Sequence, residues 1–169
     1  MNCIKKLLNK HKDELPFILA FLVYIILIHL CTREYVGDAL QYFKKVLDNY
    51  SLLDGTIMRY NTWTSRVIIE IPLYLITHNM HVYIWVFLDI IILIILALSL
   101  MKLTQYKQNK LIILLIILYP FTEMSSAGWI ATTINYLWPL ALGCTSFVLL
   151  DKMYRNEHIS LLSSKRQII

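Results

Sequence analysis

Asp38 follows Gly37 in a polar stretch of an otherwise apolar chain. A carboxylate there can act as a general base or hold a divalent cation. An acid at that place is also favoured by the helix dipole alone, if a helix starts there. Further on, Arg59, Tyr60, Asn61, Thr62, Trp63, Thr64, Ser65 and Arg66 follow one another. Two arginines can clamp a phosphate through forked hydrogen bonds. Tyr60 and Trp63 can stack on a sugar. The plain alternative is an interfacial aromatic belt with arginines snorkelling to headgroups. Two arginines, two aromatics and Asn61 within about two helical turns make a denser group than a belt needs.

Three more places hold reactive residue types. Glu70 lies just past the arginines, on what reads as a surface helix. The stretch 123–139 holds Glu123, Trp129, Asn135, Tyr136 and Trp138, with small residues at Ser125, Ser126, Ala127 and Gly128. It reads as a second substrate-contacting region, or as an interface loop with aromatic anchors. Asp89 interrupts a long apolar run. Acids within membrane spans are rare and are functional candidates. The plain alternative is a pair with a hydroxyl or a histidine of a neighbouring span. His78 and His81 flank the start of that run, but no acid matches them for a metal site.

These residues need elements to position them, and composition says which. The 169 residues are 58% hydrophobic and 16% charged, with mean hydropathy +0.59. A soluble domain has about half apolar residues and about a quarter charged. The chain therefore reads as an integral, all-α membrane protein. Four segments are expected to span: 15–31, 82–101, 111–124 and 132–150. Crossing a bilayer takes about 20 apolar residues. The second and fourth reach that length. The third is short, but Lys110 can snorkel and Pro120 can end it. The first follows Lys5, Lys6, Lys10 and Lys12 without a small-x-small cleavage site, so it reads as an uncleaved span. Segment 67–77 carries Glu70 and Pro72, and runs of roughly 10–14 residues are more often interfacial.

Charge orders these spans. With four, the head 1–14, the loop 102–110 and the tail 151–169 share one side. The loop has Lys102, Lys107 and Lys110 and no acid. The tail has Lys152, Arg155, Lys165 and Arg166 against Asp151 and Glu157. The other side has the balanced stretch 32–81 and the region 125–131. The positive-inside rule makes both termini cytoplasmic. Counting 67–77 as a span would put the lysine loop outside. The net charge of +5 thus serves orientation rather than nucleic-acid binding. Cys3, Cys31 and Cys144 form neither a CxxC nor a Cys/His cluster, so no disulfide framework or zinc site is implied. Abundant Ile, Leu, Lys, Asn and Tyr suit a low-GC bacterium and its cytoplasmic membrane.

The outer stretch is expected to hold two amphipathic interface helices. The first covers Asp38 to Tyr50, with Ala39, Leu40, Phe43, Val46, Leu47 and Tyr50 on one stripe. Asn49 to Gly55 reads as a turn. The second helix starts near Thr62 or Thr64 and runs to Thr77 with a kink at Pro72.

Gly37-Asp38, Tyr60-x-x-Trp63-x-x-Arg66, Gly128-Trp129 and Asn135-Tyr136-x-Trp138-Pro139 resemble the bacterial membrane-protein family DUF6056, related to the GT-C glycosyltransferases. The resemblance covers 15–150. It implies a polytopic enzyme that takes a sugar from a polyprenyl-phosphate carrier to modify an envelope glycan or lipid. Asp38 would be the first-loop base or metal contact. Arg59 or Arg66 would meet the lipid-linked phosphate. Such enzymes often carry paired acids in that loop and many more spans. The chain is therefore expected to be an amino-terminal module or a truncated product. The runner-up is a non-catalytic subunit that binds lipid-linked glycan or a larger membrane partner. Inverted repeats of many transporter folds are not visible.

Overall fold

The computed structural model describes residues 15–63, 65–119 and 129–155. Among them every regular element is helical. Helix α1 is Leu15–Leu30. A π-helical turn, Ala39–Lys44, and a 3₁₀ turn, Val46–Asp48, follow as a hook. Then come α2, Leu52–Thr62, and α3, Val67–Asn79. Helix α4 is Val82–Leu103, and α5 is Asn109–Ile117. The last helix, α6, is Trp129–Tyr154 and contains a second π turn, Thr133–Leu137.

Two helices, α4 with 22 residues and α6 with 26, are long and apolar enough to cross a membrane. Helix α1 is apolar but shorter. At 1.5 Å per residue, α4 extends about 33 Å, against about 30 Å of bilayer hydrocarbon. Helices α4 and α6 run side by side in the same direction. Asp89 meets Trp138 near their starts, and Ser99 Oγ lies 3.1 Å from Thr145 Oγ1 lower down. Buried Ala97 and Ala141 suit this close packing. Helices α1 and α5 pack on α4, bringing Phe21 and Ile25 together with Leu93, Leu96, Ile113 and Ile116. Other large apolar side chains face outward: Val23 and Leu27 of α1, Phe87 of α4, and Leu142 and Phe147 of α6 are all exposed. The bundle is apolar outside and keeps buried polar side chains such as His29, Asp89 and Ser99 within.

A second core sits where α4 and α6 begin. Tyr35, Ala39 and Phe43 pack on Leu73, Tyr74 and Ile76 of α3, and these meet Trp85, Ile130 and Ile134. This core fixes the hook and α3 against the end of the bundle.

The stretch 38–79 differs from the expected pair of helices. Residues 38–50 form no single α-helix, because the Lys45 N–H reaches back to Leu40 O and closes a π turn. Ala39 and Phe43 are buried as the stripe predicts, but Tyr50 is exposed. The expected turn at Asn49–Gly55 is confined to residues 49–51, and residues 52–55 are already helical. Ser51 Oγ accepts from the Asp54 N–H at 3.2 Å and caps α2 there. Thr62 closes that helix, its hydroxyl donating to Met58 O at 2.7 Å, rather than starting the next. Helix α3 then runs from Val67 through Pro72 to Asn79. Of the expected span 111–124, α5 covers the described part as far as Ile117, and residues 120–124 lie outside the described residues. Helix α6 begins earlier and ends later than 132–150.

Candidate functional site

A cleft of about 380 Å³ opens between the hook, the end of α2 and the π turn of α6. Asp38, Tyr42, Phe43, Arg59, Trp63, Arg66, Ala131, Thr132, Asn135 and Tyr136 line it. Local geometry explains how each wall is held.

The hook wall starts at Gly37, whose φ of 61° lies in the left-handed region where a side chain is strained. Gly37 O accepts from the Leu40 and Gln41 N–H groups at 3.1 and 3.0 Å. This sharp start points Asp38 into the cleft lining. The Asp38 carboxylate makes no capping hydrogen bond to its own helix.

The second wall carries the arginines. Arg59 Nη2 donates to Glu70 Oε1 at 3.2 Å, with Arg59 14% and Glu70 1% exposed. The Arg59 guanidinium also lies 5.1 Å from the Phe43 ring centre. Its Nε is buried with no hydrogen-bond partner. Glu70 thus stands behind the wall and balances Arg59. The neighbouring Tyr74 phenol is buried, and burial pushes its pKa up; Arg59 opposes that rise and Glu70 adds to it. Arg66 Nη1 donates to Tyr136 Oη at 3.4 Å, and its guanidinium lies 5.7 Å from that ring centre. This contact joins the second wall to the third.

The third wall is the π turn of α6, where the Trp138 N–H reaches Thr133 O. Single π turns inside α-helices are frequent at functional sites. Both π turns of the described residues border the cleft. Asn135 Oδ1 is buried here without a partner. The cleft is therefore lined by a carboxylate and two guanidinium-bearing side chains, while the unpartnered Arg59 Nε and Asn135 Oδ1 are themselves buried in its walls. Such a set suits an anionic ligand that also carries hydroxyls.

Of the residues singled out in the sequence, Asp38, Arg59, Trp63, Arg66, Asn135 and Tyr136 converge on the cleft. Tyr60 is 57% exposed and outside the lining. Glu70 acts through Arg59. Trp129 lies deeper, its ring 4.8 Å from His29 and 5.3 Å from Trp85. Trp138 is also deeper and donates to Asp89 Oδ1 at 2.6 Å. Glu123 lies outside the described residues. Asp89 pairs with a histidine of another helix, His29, at 3.0 Å. His81 accepts from the Tyr83 N–H at 3.4 Å and caps α4. His78 Nδ1 sits 3.2 Å from Lys44 O and 3.9 Å from Asp48. Ala131 and Thr132 lie in the stretch 123–139 without having been singled out there, and Tyr42 and His29 were missed. Phe43 had appeared only as a core position. An ionisable side chain in an apolar run was the signal for His29, the counterpart of the one that flagged Asp89.

A divalent cation, which the sequence left open at Asp38 beside the general-base role, would meet few ligands here. Divalent cations take several oxygen ligands. Among the described lining residues Asp38 is the one carboxylate, and two guanidinium groups share its cavity. Among the described residues no three His, Cys, Asp or Glu side chains come together. Comparison with family models, with curated proteins and with solved structures gives no match.

Proposed function

We propose that the protein is a multi-pass membrane protein whose cleft binds a polyprenyl-phosphate-linked sugar and passes the sugar to an envelope glycan or lipid. The observation that carries this reading is the cleft itself, where two arginines, one acid, three exposed aromatics and Asn135 meet. Membrane placement rests on the apolar outer faces of α1, α4 and α6 and on the polar residues turned inward. Adding α1 and the segment 111–124, of which α5 covers the described part as far as Ile117, gives four spans, with both termini cytoplasmic and the cleft outside by the positive-inside rule.

In the transfer, Asp38 takes the proton of the acceptor hydroxyl as that oxygen bonds to the anomeric carbon of the sugar. The bond from that carbon to the phosphate oxygen breaks, and its electron pair leaves with the lipid phosphate. Arg66 and Arg59 offset the charge that develops there. Trp63 and Tyr136 supply ring faces for the sugar.

A purified-protein assay tests it, with labelled polyprenyl-phosphate hexose and a membrane-lipid acceptor. Asp38→Asn should lower transfer by about 10²–10⁴-fold, the range for a general base, with donor binding kept. Equal transfer by wild type and variant would sink the mechanism.

One observation favours a second reading, a non-catalytic subunit that holds lipid-linked glycan for a larger partner. The cleft has one carboxylate, and Glu70 is engaged by Arg59. Purification in mild detergent separates the two. A stoichiometric membrane partner with an inactive isolated chain supports the subunit, and an active monomer excludes it.

A further inference from the structure

Beneath the cleft, three helices meet at one polar contact. His29 of α1 and Asp89 of α4 are both 0% exposed, with His29 Nε2 3.0 Å from Asp89 Oδ2. His29 Nδ1 lies 2.6 Å from Ile25 O. The Trp138 indole Nε1 donates to the other Asp89 oxygen at 2.6 Å. The rings of Trp85 and Trp129 close over His29 at 5.5 and 4.8 Å.

Hydrogen-bond chemistry fixes the proton count. A carbonyl oxygen only accepts, so His29 Nδ1 carries a hydrogen. One further proton between Nε2 and Oδ2 satisfies both atoms. With none, a nitrogen lone pair would face a carboxylate oxygen, and with two, N–H would face O–H. With one shared proton the histidine and acid together are neutral. A satisfied neutral network in a dry site is strong and directional, and a half-broken one is costly.

Trp138 connects this network to the cleft. It directly follows the π turn Thr133–Leu137, and its own N–H closes that turn on Thr133 O. Side chain and backbone of one residue therefore hold the turn that presents Asn135 and Tyr136. An α-helical turn in its place would re-phase the residues before it by about 100° around the axis. Ala131 and Thr132 would leave the cleft lining, and Asn135 and Tyr136 would lose their aim.

We propose that His29, Asp89 and Trp138 are positioning residues that set the π-turn wall of the cleft through geometry and not through charge. The proposal rests on the reading of the cleft as a lipid-phosphate site, and its test separates the two. The full-length chain is used, with Cys3, Cys31 and Cys144 replaced by serine. Two readouts are taken: the maleimide reaction rate of Tyr136→Cys, and binding of polyprenyl phosphate to chains that keep Tyr136.

Asp89→Asn offers its amide oxygen to Trp138 and its N–H to neutral His29 Nε2. It should match the parent in both readouts. Asp89→Leu and Trp138→Phe should change the maleimide rate several-fold and weaken binding roughly tenfold, about one buried hydrogen bond. Trp138→Phe keeps an aromatic ring and removes the indole N–H, so it reads the claim even if Asp89→Leu does not fold. The proposal is overturned if Trp138→Phe lowers thermal stability but leaves both readouts unchanged, since the network would then be structural only. It is equally overturned if a folded Asp89→Asn is as impaired as Asp89→Leu, since charge would then be the cause. If the parent does not bind polyprenyl phosphate, the lipid-phosphate reading fails, and the maleimide rates still decide the positioning claim.

Discussion

Arg59 and Arg66 are the same residue type with different roles. Arg59 is held by buried Glu70 and stacked on Phe43, whereas Arg66 reaches across the cleft to Tyr136. Removing one partner of a buried pair leaves the other charge desolvated. Arg59→Ala and Glu70→Ala should each cost about 3–5 kcal/mol in thermal unfolding in detergent. The double variant should cost less than their sum. Arg66→Ala should cost under about 1 kcal/mol and yet weaken polyprenyl-phosphate binding at least roughly tenfold, as loss of a charged hydrogen bond does. The crowding of arginines and aromatics at 59–66 was legible as a possible site. The role of Glu70 was not, because its bond to Arg59 crosses the break between α2 and α3. Trp129 and Trp138 looked like ligand-stacking residues, since aromatics at a membrane interface and aromatics around a buried histidine have the same sequence signature.

At the scale of elements, the hook and α3 depend on a few anchors. Tyr35 Oη lies 2.9 Å from both Ile76 O and Met80 O and secures the end of α3. Burial pushes the Tyr35 phenol up to about 12 from 10.0. A pKa raised on folding means the neutral phenol is favoured by the folded state. Its contribution is complete below pH 10 and is lost as pH rises through about 12. Melting temperatures across that window should therefore fall more steeply for the wild type than for Tyr35→Phe. Parallel curves would remove Tyr35 as the cause. Ser51→Ala should destabilise by about 1 kcal/mol through loss of the α2 cap. That cap was legible in Ser51-x-x-Asp54, a capping pattern before a helix. Gly55 inside the segment drew the reading toward a turn instead. The π turns were not legible, because an i→i+5 bond depends on what the surrounding walls demand and not on local preference.

At the scale of the molecule, the apolar runs told most about the bundle. They fix which segments are greasy, and α4 and α6 match two of the expected spans. What they could not tell is that the hook and the start of α6, far apart along the chain, form one cleft. Long-range convergence of this kind is set by packing of Phe43, Tyr74, Trp85 and Ile134. The proposed topology makes its own forecast: a cysteine at Gln105 should be labelled from the cytoplasmic side and one at Trp63 from outside. The most direct measurement is photocrosslinking in lipid vesicles. A polyprenyl-phosphate sugar with a diazirine on the sugar should mark peptides holding Trp63 and Asn135–Tyr136, and Arg66→Ala should abolish the marks. Labelling confined to lipid-facing positions such as Phe87 and Phe147, and unchanged in Arg66→Ala, would contradict a binding site in the cleft.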